Sequence, residues 1–109
     1  MAETYRVVIE DVAENQLDEI VLYLYENVSA DTALKVQDGI LDAVDGLSFM
    51  PMRHSIVHDI SDENMTYRRV MQWSYRVIFH IDEENREVTV VNISHSHRDP
   101  QWLIDLFKK

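Results

Sequence analysis

The run from Tyr67 to Pro100 constrains this chain most, because it can be satisfied only by a sheet. Residues 67–81 read Tyr-Arg-Arg-Val-Met-Gln-Trp-Ser-Tyr-Arg-Val-Ile-Phe-His-Ile, and residues 88–100 read Val-Thr-Val-Val-Asn-Ile-Ser-His-Ser-His-Arg-Asp-Pro. Val, Ile, Tyr, Phe and Trp favour a pleated, half-buried surface. A tight step near Ser74 and the polar group Glu83, Glu84, Asn85 and Arg86 divide the run into three strands, Arg68 to Trp73, Tyr75 to Asp82 and Glu87 to Ser94. Consecutive strands joined so closely form an antiparallel meander. Val88, Val90, Val91 and Ile93 occupy both parities of the last strand, the pattern of a central strand covered on both faces.

The first half of the chain supplies a covering layer. Tyr5 to Ile9 reads as a short strand, and Asp11 as the cap of a helix running to Asn27. Ala13, Leu17, Ile20, Val21 and Leu24 recur at helical spacing. A second helix is expected from Ala30 to Ser48, capped by Ser29, with Ala33, Val36, Ile40, Val44 and Leu47 turned inward and Pro51 helping to end it. The short connection makes the two helices antiparallel neighbours, and the sheet is the second layer their apolar faces need. Residues 52–66 carry Asp59, Ser61, Asp62, Glu63 and Asn64 and read as a loop with a short strand at Ser55 to His58. Trp102, Leu103, Leu106 and Phe107 form a short C-terminal apolar segment, read as a helix. The expected fold is α+β: an N-terminal strand, an antiparallel helical hairpin, an antiparallel β-meander and that final segment.

A length of 109 residues suits one domain, residues 1–109, and two glycines with two prolines leave little room for a linker. The start of the chain carries Glu3 and Glu10 around a brief apolar run and lacks the features of a signal peptide; no segment reaches the length needed to span a membrane. A cytoplasmic location is expected. The absence of cysteine removes disulfides, thiolate metal sites and a Cys nucleophile.

The net charge of -10 is unevenly spread. Residues 1–50 hold two basic groups, Arg6 and Lys35, against eleven acidic ones, whereas the remainder holds eight basic against nine acidic. The acid belongs to the helices. The strands instead interleave Arg68, Arg69, Arg76, His80, His95, His97 and Arg98 with apolar residues, giving a sheet with a cationic face. On the second strand, alternation sends Tyr75, Val77, Phe79 and Ile81 to the core and Arg76, Ile78 and His80 to a surface at least partly exposed. Arg68 and Arg69 are adjacent, so at most one shares Arg76's surface; Arg69, Met71 and Trp73 share one parity. Tyr67, Trp73 and Tyr75 fit packing roles better than base stacking. His95 and His97, with His54, His58 or His80, match no recognised ligand spacing, so no metal and no cofactor is expected.

The Arg-Arg-Val strand at Arg68 to Val70, the Tyr-Arg-Val-Ile-Phe strand at Tyr75 to Phe79 and the His-Ser-His-Arg-Asp-Pro ending at His95 to Pro100 resemble the RelE/ParE superfamily of bacterial type II toxin-antitoxin toxins. The order of elements fits that superfamily over nearly the whole chain. For its RNA-cleaving members, the resemblance implies phosphate stabilisation by Arg76 and proton transfer by His95 or His97, in ribosome-dependent cleavage of mRNA. Nucleases of the RelE type carry several lysines in the groove and a tyrosine near the C-terminus. This chain has only Lys35, Lys108 and Lys109, and its last tyrosine is Tyr75. Those departures, and the His-x-His-Arg-Asp-Pro ending, resemble the ParE branch, the plasmid-stabilisation proteins that poison DNA gyrase and need no catalytic residue.

Three readings follow: a gyrase-binding toxin, an mRNA endoribonuclease, and a homologue that has lost toxicity and survives as an antitoxin-binding or regulatory component. All three imply a cognate antitoxin with an amphipathic helix, in a homodimer or a toxin-antitoxin hetero-oligomer, and no membrane. Arg68, Arg69, Arg76 and Arg98 are the candidates for contacting antitoxin or target.

Overall fold

A computed structural model of the chain describes residues 4–96. Strand β1, Arg6–Ile9, leads into helices α1, Asp11–Asn27, and α2, Ala30–Asp45; strands β2, Arg68–Gln72, β3, Tyr75–Asp82, and β4, Glu87–His95, follow. The sheet order is β1-β4-β3-β2. β2, β3 and β4 form the expected antiparallel meander. β1 joins it by pairing parallel to β4, with Arg6 opposite Glu87 and Ile9 opposite Val90, so the helical hairpin belongs to the crossover that parallel strands require. This leaves β4 central, in accord with its apolar residues at both parities.

The helices end differently from the expectation. Glu10, not Asp11, holds the cap position of α1 and makes no side-chain cap. Ser29 does cap α2, its Oγ accepting the Thr32 N–H at 3.0 Å. α2 stops at Asp45, and Gly46–Ser48 continue as one 3-10 turn, the tightening by which a last helical turn satisfies its carbonyls. A second 3-10 turn, Pro51–Arg53, follows Met50, which is left-handed at φ 49°.

The core lies between the helices and one face of the sheet. It gathers Ala13, Leu17, Ile40, Val44 and Leu47 from the hairpin side with Tyr5, Val77, Phe79, Val88, Val90 and Ile93 from the sheet side. Complete burial of a side chain such as Phe79 contributes about 1.5–3 kcal/mol. A β-bulge shapes the central strands: Ile78 pairs with Asn92 but Phe79 with Val90, leaving Val91 unopposed. The extra residue lets Val90 and Ile93 both face the helices and sends Val91 to the other side.

The other side is not open there. Ile60 and Ile78 are buried together, with Val57, Tyr67 and Val91 packed around them. The segment before β2 makes this second layer. Ile56 bridges Arg68, Val57 N–H donates to Tyr67 O at 2.8 Å, and Arg69 N–H donates to Ser55 O at 3.0 Å. The expected strand at Ser55 to His58 is thus a single bridge with flanking bonds. β2 itself ends at Gln72, because Trp73 takes a positive φ of 52° and belongs to the two-residue turn with Ser74.

Candidate functional site

Two surfaces of the sheet carry chemistry, and both are built around β3. On the face away from the helices, Arg76 stands opposite Met71 of β2 and Ser94 of β4, while Ile78, two residues on, stands opposite Arg69 and Asn92. Alternation therefore brings Arg69, Arg76, Asn92 and Ser94 to one face. Arg68 points the other way, where its Nη1 donates to Met52 O at 3.0 Å and to His54 O at 2.8 Å. Of the two adjacent arginines, Arg69 is the one that shares Arg76's surface.

Arg76 corrects the expectation of an exposed strand face, for it is only 9% exposed. Period two assigns a face but not what lies across it. Its Nε and Nη2 are buried and meet no acceptor among the described residues. Asn92 is wholly buried beside it; its Oδ1 accepts the Ser94 hydroxyl at 2.9 Å, yet its Nδ2 meets no acceptor there either. Burial, and then the positive charge of Arg69, push the Arg76 guanidinium below its ordinary value. An orphaned buried donor costs about 1–3 kcal/mol, more when charged. The face therefore holds buried donors of Arg76 and Asn92 that meet no acceptor among the described residues.

The second surface lies where β3 and β4 run past the end of β1. The last parallel pair is Ile9 with Val90. Beyond it the outer edge of β4 needs other partners, and Gln16 of α1 takes up the Ile93 N–H through its Oε1 at 2.9 Å. A cleft of about 430 Å³ opens beside this bond, lined by Gln16, Glu19, Tyr23, Tyr75 and His95 among others. His95 packs edge-on to Tyr75, ring centroids 5.3 Å apart, and its Nε2 lies 3.1 Å from Ser74 Oγ. Ser96 N–H donates to Ser74 O at 2.7 Å, so the end of β4 is bound to the β2–β3 turn.

The register settles how the candidate residues relate. His95 pairs with Tyr75, on the helix side, and Arg76 pairs with Ser94, on the opposite side. Arg76 and His95 thus face apart. His97 and Arg98 lie outside the described residues, as does the C-terminal apolar segment. Among the described residues no three His, Asp or Glu side chains converge to hold a metal ion. No described helix is long and apolar enough to cross a membrane.

Sequence reasoning passed over Asn92 and Ser94. Their signal was present, two polar residues inside the run Val-Val-Asn-Ile-Ser of a central strand. Gln16, Glu19 and Tyr23 carried no such mark, since polar residues on an amphipathic helix are ordinarily solvated.

The family model for the ParE toxin of type II toxin-antitoxin system, parDE, matches residues 7–100. The chain belongs to the ParE toxin family. This ParE-family chain has the fold of solved toxin-antitoxin structures at low sequence identity. It aligns with the chromosomal ParDE system of P. aeruginosa at 17% identity and TM-score 0.67, over 84% of this chain and 96% of that one. The RelBE2 complex of Mycobacterium tuberculosis aligns at 19% identity and TM-score 0.60, over 84% and 98%. The archaeal RelE-RelB complex of Pyrococcus horikoshii aligns at 17% and 0.59, over 88% and 99%. Comparison with curated protein sequences gives no significant match.

Proposed function

We propose that this ParE-family toxin acts by binding a protein target, DNA gyrase, and is neutralised by a cognate antitoxin whose amphipathic helix lies against it. The observation that carries the choice of binding over cleavage is the opposed facing of Arg76 and His95. Cleavage of RNA through its 2′-hydroxyl needs a base at the hydroxyl and a cation on the adjacent phosphate within one site. Arg76 and His95, on opposite faces of the sheet, do not meet that requirement as a pair. The net charge of -10 points the same way, because nucleic-acid affinity rests on neutralising many phosphates. Gyrase as target puts the site of action in the bacterial cytoplasm, consistent with a role in plasmid stabilisation.

The antitoxin reading draws on the structural relatives, which are toxin-antitoxin systems and complexes. Helix-in-groove docking is the mode such a partner would use. Arg69 and Arg76 are the contact residues proposed on one face of the sheet and Arg68 on the other; Arg98, also proposed, lies outside the described residues.

The test is a supercoiling assay with purified gyrase and the full chain. Loss of supercoiling is expected as toxin is added. Unchanged supercoiling at large molar excess would remove gyrase as the target. Cell-free translation with mapping of mRNA 5′ ends checks the other arm: intact message is expected, and new ends at codon positions would replace this reading with ribosome-dependent cleavage.

A further inference from the structure

We infer that Arg76, Asn92 and Arg69 form a built receptor for one carboxylate of an acidic polypeptide, and that the antitoxin supplies it. The inference rests on the reading that an antitoxin neutralises this chain.

Arg76 is only 9% exposed, yet two of its nitrogens meet no acceptor among the described residues, and the neighbouring Asn92 amide nitrogen is in the same condition. Among the described residues, the charged group that acts on Arg76 is another cation, Arg69. Burial of an unpaired charge is strongly unfavourable, and a guanidinium fork is relieved best by a planar, two-oxygen acceptor that it can bind bidentately. Cross-strand diagonals bring Asn92 and Arg69 to Arg76 from its two sides. One oxyanion there would accept from the fork and from the Asn92 amide, while the exposed Arg69 holds the rim.

Carboxylate is favoured over phosphodiester by scale and surroundings. Two arginines suit a single anion, whereas a nucleic-acid backbone would carry further phosphates towards a chain of net charge -10. Met71, directly opposite Arg76 and 41% exposed, offers an apolar contact beside the anion site, as a peptide would use. The acidic helical half repels a polyanion at long range but leaves a local ion pair intact, since screening confines such repulsion to about 10 Å at moderate salt.

The experiment follows the side-chain Nε–H resonance of Arg76 and the amide of Asn92 in the isotopically labelled full chain. Probes are sodium acetate, sodium chloride at matched ionic strength, a blocked tripeptide carrying one glutamate against its glutamine counterpart, and a dinucleotide. Saturable shifts with acetate and with the glutamate peptide are expected, at midpoints about tenfold below any chloride response. Equal response to acetate and chloride would overturn the inference. Saturation by the dinucleotide without response to acetate would overturn it in favour of nucleic acid.

Arg76→Met supplies the second measurement. It removes a buried charge that meets no acceptor among the described residues, so its urea midpoint is expected at or above that of the parent, with the Asn92 response to acetate abolished. A large fall in the midpoint would mean that Arg76 is a structural group and would overturn the inference, which Arg76→Lys checks by keeping the charge without the fork. These responses are read with no antitoxin present, so their loss overturns the carboxylate site whatever becomes of the antitoxin reading, and the supercoiling assay on the same preparations tests the gyrase reading separately.

Discussion

Gly39 of α2 leaves the space that the Trp73 indole fills: a Cβ at that position would fall inside the van der Waals envelope of Trp73 Cη2 and Cζ3. The contact joins the hairpin turn of β2 and β3 to the middle of a helix, and it accompanies a positive φ at Trp73. Gly39→Ala gains about 0.5–1 kcal/mol of helix propensity. The added methyl meets only the far end of the Trp73 indole, which is half-exposed and can swing aside, so the displacement roughly offsets that gain. A stability in urea within about 1 kcal/mol of the parent and a shifted Trp73 emission are expected in a Trp102→Phe background, where Trp73 is the remaining indole of the two. A much lower urea midpoint would show that the turn does not yield.

His54 packs edge-on to Phe79 with centroids 5.8 Å apart, and burial first, then Arg53 and Arg68, lower its pKa from the ordinary 6.5. The folded protein therefore keeps His54 neutral where the unfolded chain binds a proton. Stability rises with pH in that window and is lost as pH falls through 6.5 towards the folded value. Thermal melts between about pH 7.5 and about pH 5.5 should show a fall in Tm on the acid side, and His54→Phe should make the fall smaller. An unchanged slope in the variant would assign the acid loss to other groups.

Gln16→Ala would strip the Ile93 N–H of its acceptor at the point where β1 no longer covers β4. A loss of about 1 kcal/mol is expected, with exchange of the Ile93 amide accelerated about tenfold. Exchange at parent rates would mean that water replaces the side chain without penalty.

Ser29→Ala removes the cap of α2 and is expected to lower stability by about 1 kcal/mol, while Ser29→Asp should retain most of it. Chemical denaturation of the three proteins gives the ranking directly.

The meander was legible because period two and turn residues are local signals: Val77 and Phe79 read as core and are core, and Tyr75 packs against it. The apolar stripe through Ala13, Leu17 and Leu24 was legible for the same reason at helical period. Asp11 misled by one position, since a carboxylate in the first helical turn and one at the cap look alike in a sequence.

What escaped sequence reasoning was non-local. Burial of Arg76 belongs to the second face of the sheet, and part of that face is closed by a segment without periodicity. That segment is fixed by Ile60 against Ile78 and by Ser61, whose hydroxyl donates to Val57 O at 2.7 Å and accepts the Tyr67 N–H at 2.9 Å. The candidate site was half legible. Arg76 and Arg69 announced themselves as charges on strands, but their buried partner Asn92 needed the register, and the register needed the bulge.

The pairing of β1 with β4 joins residues far apart in the chain, Arg6 with Glu87. Contacts of such long sequence separation slow folding, because the intervening loop must close before they form. During synthesis the first strand therefore emerges long before its sheet neighbour exists. Its edge stays unmatched until β4 has been made, so a ribosome carrying an unfinished copy of this toxin carries an incomplete sheet. The four-stranded sheet of this ParE-family chain can close only once that last partner strand has left the ribosome.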